Sequence, residues 1–145
     1  MKTPVFLMYG IITINLIIAV FIIGGLGNAL SIIEDAPIIY FTAISSLYMI
    51  GRYMVMWMNQ LINEFEEFSI LIGIIGLFSI LIGSIFSGAT IGFLMELPNK
   101  DETNFGQLLK DYYFYPFVLI LLFGCIPTTI TGGFLGYLLK MDAKN

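Results

Sequence analysis

The sequence predicts an all-α integral membrane protein, a bundle of four transmembrane helices folded as a single domain over residues 1–145. Three observations lead there. Hydrophobic residues make up 59% of the chain and charged ones 11%, where a soluble domain carries about 25% charged residues. The few charges are bunched: Lys2, Glu34–Asp35, Glu64 to Glu67, the 96–111 segment and the tail from Lys140 hold nearly all of them. Between these clusters lie four apolar runs, each meeting the roughly 20 residues that a helix needs to cross a bilayer.

The first run, "PVFLMYGIITINLIIAVFIIGGLG", covers 4–27. It is longer than a signal-peptide core of roughly 7–15 residues and has no good cleavage site, so a retained helix is expected. The second covers 36–58 and continues into "NQLINEFEEF", where Asn59, Asn63 and Glu67 recur at helical spacing. That pattern predicts a helix leaving the bilayer and lying close to its surface. The third and fourth runs cover 69–95 and 112–139. At 1.5 Å per residue each reaches about 40 Å, beyond the roughly 30 Å hydrocarbon layer, so tilting, kinking or protrusion is expected. Pro127 offers a kink in the fourth, with Thr128 and Thr129 placed to satisfy the carbonyl it leaves open. "YYFY", 112–115, reads as an aromatic anchor at the membrane boundary. The intervening 96–111 segment reads as a solvated connector.

Four crossings place both termini on one side. That side gathers Lys2, Lys140, Lys144 and Arg52, against Lys100 and Lys110 on the other. The excess of basic residues predicts cytoplasmic N- and C-termini in a multi-pass membrane protein.

The third and fourth runs end on nearly the same phrase: "SGATIGFLMEL", 87–97, and "TGGFLGYLLKM", 131–141. Ser84, Gly88 and Gly92 are spaced four apart, as are Thr128, Gly132 and Gly136, so each helix presents a smooth face. Lipid is as apolar as leucine, so helices in a bilayer associate by close backbone approach, which small residues permit. Because consecutive spans run antiparallel, the two faces lie toward opposite membrane surfaces. At least one is expected to serve the first or second helix, another copy, or a partner subunit. An inverted duplication is the alternative reading.

Few residues suggest chemistry. The chain has no histidine and one cysteine, Cys125. Haem ligation by histidine, histidine zinc sites and histidine acid–base catalysis are therefore excluded, and Cys125 reads as inert packing. No catalytic set, metal set or cofactor is expected, and six scattered basic residues make no nucleic-acid surface. Arg52 is the only charge well inside an apolar run; it reads as a residue that snorkels to headgroups or contacts an anionic lipid or a partner. Asn15, Ser45, Ser46, Thr128, Thr129 and Thr131 are polar groups a bundle turns inward, as interhelical glue or as a pore lining.

Met54 and Met58 resemble the MxxxM element of copper-uptake channels, but the GxxxG at Gly88–Gly92 comes 30 residues later rather than after a tight turn. The methionines therefore read as adaptable packing. "GLFSILIG", 76–83, followed by "TTITG", 128–132, resembles the paired phrases of stator subunits of ion-driven motors, with Ser79–Ile80 in place of Gly–Thr and no large cytoplasmic helical domain. That resemblance implies Thr128 and Thr129 beside a partner's acidic residue on an ion path. The leading expectation is a non-catalytic subunit whose glycine faces dock it into a homo-oligomer or a larger membrane complex, surrounded by lipid. The alternatives are a small channel or transporter component and an immunity-type protein that blocks a toxin in the membrane.

Overall fold

The computed structural model describes residues 2–22, 25–97 and 105–143, and among them every element is helical. In chain order these are α1 (Lys2–Ile22), α2 (Leu26–Asp35), α3 (Pro37–Glu64), a 3-10 turn (Glu66–Phe68), α4 (Ser69–Glu96), α5 (Phe105–Leu109), a π-helical turn (Lys110–Phe114) and α6 (Tyr115–Ala143). Four stretches are long and apolar enough to cross a membrane: Pro4–Ile22, Pro37–Glu64, Glu66–Glu96 and Leu122–Ala143.

The boundaries differ from expectation in three places. The first run is not one helix over 4–27, because α1 ends at Ile22 and a separate α2 starts at Leu26. Gly25 turns the chain with φ +100°, a conformation open to glycine, while its N–H closes the end of α1 on the Val20 carbonyl at 2.9 Å. In α2, Leu30 and Ile33 recur at helical spacing opposite Asn28, Ser31 and Asp35, so the helix is amphipathic. Second, α3 does continue past Met58, as its helical spacing implies, but not through the whole of "NQLINEFEEF". It continues unbroken to Glu64, and Ile62 is buried. Phe65 breaks it at φ −127°, and the following 3-10 turn leads straight into α4. Third, part of the supposed connector is ordered as α5 and the π-helical turn ahead of α6.

The four long helices form a ring in the order α1, α3, α4, α6, with the α3–α4 and α4–α6 seams the most extensive. Neighbours in the ring run antiparallel. The pairings along α3 and α4 show it: Met58 lies on Gly76, Ile50 on Gly83, Ala43 on Gly88 and Ile39 on Gly92. On the other flank of α4, Gly136 meets Ser69 and Gly132 meets Gly73 and Ile74. The centre is apolar, with Met8, Ile12, Val55, Met58, Ile62, Ile80, Leu135 and Leu139 fully buried.

The outside is apolar as well. Phe6, Phe21, Phe41 and Ile126 are more than 70% exposed, each on a different face or level of the ring. An outer surface of this kind, spread over four long helices, has no favourable contact with water.

Candidate functional site

The small-residue faces define the seams. A Cβ added to Gly132 would stand 2.8 Å from the Ile74 Cα, and one on Gly136 would stand 2.8 Å from the Ser69 carbonyl carbon. Here backbone meets backbone, and nothing can swing aside. Where α4 meets α3, a Cβ on Gly88 would stand 2.9 Å from the Ala43 Cβ and 3.2 Å from the Ile39 carbonyl oxygen. Gly92 is covered by the Ile39 side chain and the Tyr112 ring. Ser84 and Thr128 are each 3% exposed, and the Ser84 hydroxyl donates to the Leu81 carbonyl at 2.8 Å. Both stripes thus close on helices of this same chain. Ser69, Gly73 and Gly76, which receive α6 and Met58, lie on the same buried face as Ser84, Gly88 and Gly92. The repeated phrase marked only half of that face; continuing its four-residue spacing backwards from Ser84 reaches Gly76, whereas Gly73 and Ser69 lie one position out of that register.

The polar residues divide into two groups. Asn15 Nδ2 donates to Thr131 Oγ1 at 2.9 Å, which joins α1 to α6, and the Thr131 hydroxyl also donates to the Pro127 carbonyl at 2.7 Å. A second polar link was not anticipated: Thr13 Oγ1 lies 3.0 Å from the Tyr48 hydroxyl, joining α1 to α3, with the Tyr9 and Tyr48 rings edge to face. Its signal is faint, since tyrosine in an apolar run usually reads as an interface anchor. By contrast Ser45, Arg52 and Thr129 point outward and Ser46 is half-buried, so they do not meet Asn15 and Thr131 along one path. The Thr129 hydroxyl donates to the Cys125 carbonyl at 2.7 Å. Cys125 itself is exposed rather than packed inside.

The methionines do not converge either. Met58 is buried against Gly76, Met54 is half-buried, and Met49 and Met56 are exposed. The "YYFY" anchor also splits. Tyr112 turns into the bundle over Gly92, Tyr113 packs on Phe86 and Phe93 and meets the Thr90 hydroxyl at 3.1 Å, and Phe114 and Tyr115 face out.

At the same end, two adjoining clefts of about 240 and 410 Å³ open between the start of α3, the end of α4 and the start of α6. Both are lined by Ala36, Ile39 and Tyr112. Asp35 and Glu96 stand on the rim of the smaller cleft, and Asp111 and Tyr40 line the larger. Gly88 and Gly92 form part of the floor. Burial, and then the Glu96 and Asp111 carboxylates, push the Tyr112 phenol above its ordinary range.

These features define a helical protein with four spans of membrane-crossing length and apolarity, tight internal seams and one acid-rimmed cleft. No family model, no curated protein and no solved structure matches the chain.

Proposed function

We propose that the chain is a non-catalytic integral membrane protein, inserted through all four long helices with cytoplasmic termini, that serves as a structural subunit of a membrane assembly. The observation that carries this reading is where the polar groups sit. Asn15, Thr131, Thr13 and Tyr48 are spent on joining helices of this chain to one another. Ser45 and Arg52, two helical turns apart on α3, are instead exposed among Met49, Tyr53 and Trp57. A charge facing hydrocarbon costs about 2.5–3.5 kcal/mol near the centre of a span, less where it snorkels, so an outward Arg52 favours a face that meets another polar surface. The glycine stripes are closed internally, which leaves this outer face of α3 as the contact with a neighbouring subunit or a second copy.

The test is the mass and composition of the particle released by mild, lipid-preserving solubilisation through a C-terminal tag. A fixed ratio of other membrane proteins, or a symmetric oligomer, supports the reading, and Arg52→Leu should release the partner while leaving the bundle folded. A monomer without partners in a native-like bilayer ends it.

A further inference from the structure

We propose that the cleft around Tyr112 is a binding site for a lipophilic organic cation, a bulky quaternary ammonium or phosphonium ion or a protonated hydrophobic amine. The inference goes beyond the subunit reading and does not depend on it.

The cleft has the size and chemistry for such a guest. Its two lobes, about 240 and 410 Å³, fall in the range of roughly 300–1,000 Å³ typical of small-molecule pockets when taken together. The walls are mostly apolar, from Ile39, Ala43, Ile85 and Ala89, and two phenol side chains, Tyr40 and Tyr112, are part of the lining. Aromatic faces attract weakly hydrated cations. Carboxylates from three separate segments border it: Asp35 before α3, Glu96 at the end of α4 and Asp111 in the π-helical turn. Among the described residues no lysine or arginine lines either lobe.

The spacing of the acids selects the kind of cation. Among the described residues no group of three metal-ligating side chains lies close enough to hold a metal ion. A compact divalent ion wants several oxygens at about 2.0–2.6 Å and gains little from dispersed carboxylates. A large monocation with its charge spread over an apolar body needs only a negative field and a dry wall. A zwitterionic phospholipid fits less well, since its phosphate, the group nearer the acyl chains, would be driven against the same carboxylates.

Glycine at floor position 92 also has a use here. Where Ile39 and Tyr112 already rest on Gly92, any side chain would push Tyr112 outward, and with it the shared wall of both lobes.

The experiment uses the full-length protein in phosphatidylcholine nanodiscs, with tetraphenylphosphonium as the probe and empty nanodiscs as the partition control. Saturable binding above the control is expected. The paired substitution Glu96→Gln with Asp111→Asn should weaken it by about tenfold, the effect of removing roughly two partly screened charge contacts. Ala36→Phe, which fills the wall common to both lobes, should weaken it at least as much with the rim charges intact. Tetraphenylborate, of the same shape and opposite charge, should show no saturable binding. Each variant's helicity and thermal transition report that it is folded. Binding no greater than in empty discs overturns the proposal. So does binding left unchanged by both variants, equal saturable binding of tetraphenylborate, or a tightly retained phospholipid that the phosphonium cannot displace. Failure here leaves the composition of the extracted particle, and hence the subunit reading, untouched.

Discussion

The two flanks of α4 use the same device, a line of small residues, to make two different joints. Toward α6, at Ser69, Gly73, Gly132 and Gly136, peptide planes touch peptide planes. Toward α3, at Gly76, Gly83, Gly88 and Gly92, most of the neighbours are side chains: Met58, Ile50, Ala43 and Ile39, with Tyr112 capping the end. A side chain can change rotamer at modest cost, whereas a backbone cannot move without its whole helix. The first joint is therefore stiff and the second adjustable. The cleft opens beside the second, where the fold can tolerate a guest of variable shape.

The largest test of this contrast is Gly136→Ala. The new methyl group would press on the Ser69 carbonyl and the Ile70 Cα, so a loss of about 3 kcal/mol, at the upper end of overpacking costs, is expected. Unfolding measured by steric trapping in bicelles would show it; a loss below about 1 kcal/mol means the α4–α6 joint yields and the contrast is broken. Gly88→Ala comes next. Its methyl group meets the Ala43 Cβ and, less closely, a carbonyl, and a loss of about 1 kcal/mol in the same assay would rank the joints as described.

A smaller effect is expected where α1 meets α6. In a double-mutant cycle of Asn15→Leu and Thr131→Val, the Asn15–Thr131 hydrogen bond at 2.9 Å should show a coupling of about 0.6 kcal/mol, the average for such bonds between membrane helices. Zero coupling would make α1 a helix held by packing alone. Last is Gly10→Ala, where a Cβ meets nothing within 4 Å. With no steric penalty, the alanine should stabilise α1 by about half a kcal/mol through its greater helix propensity. A destabilised Gly10→Ala variant would mean that this face of α1 touches another molecule, which would sharpen the subunit proposal.

The composition and the apolar runs contained the four long helices, because span length follows from bilayer-length hydrophobicity alone. The α1–α2 break was not legible. Leu26, Ile32 and Ile33 keep the segment greasy, and among the described residues only Gly25 marks a turn that needs positive φ. The glycine stripes were legible as packing faces, since four-residue spacing puts them on one side whatever they touch. Their partners were not, because the choice between Ala43 and another chain's residue depends on how three helices settle together. The acid-rimmed cleft was the least visible feature. Asp35, Glu96 and Asp111 are separated by 61 and 15 positions in the chain, and each reads locally as an ordinary charge at a helix end.

The Asn15–Thr131 bond also carries a consequence for how the protein is made. Its two ends are 116 residues apart, so the first helix leaves the ribosome long before the last one exists. The α3–α4 hairpin can close as soon as residue 96 has emerged, because its seam is local. The first helix can settle on α3 early, through Thr13 and Tyr48, but its Asn15 amide, bonded meanwhile only to the Ile11 carbonyl of its own helix, waits for Thr131 until translation is nearly finished. The earliest helix is therefore completed by the latest.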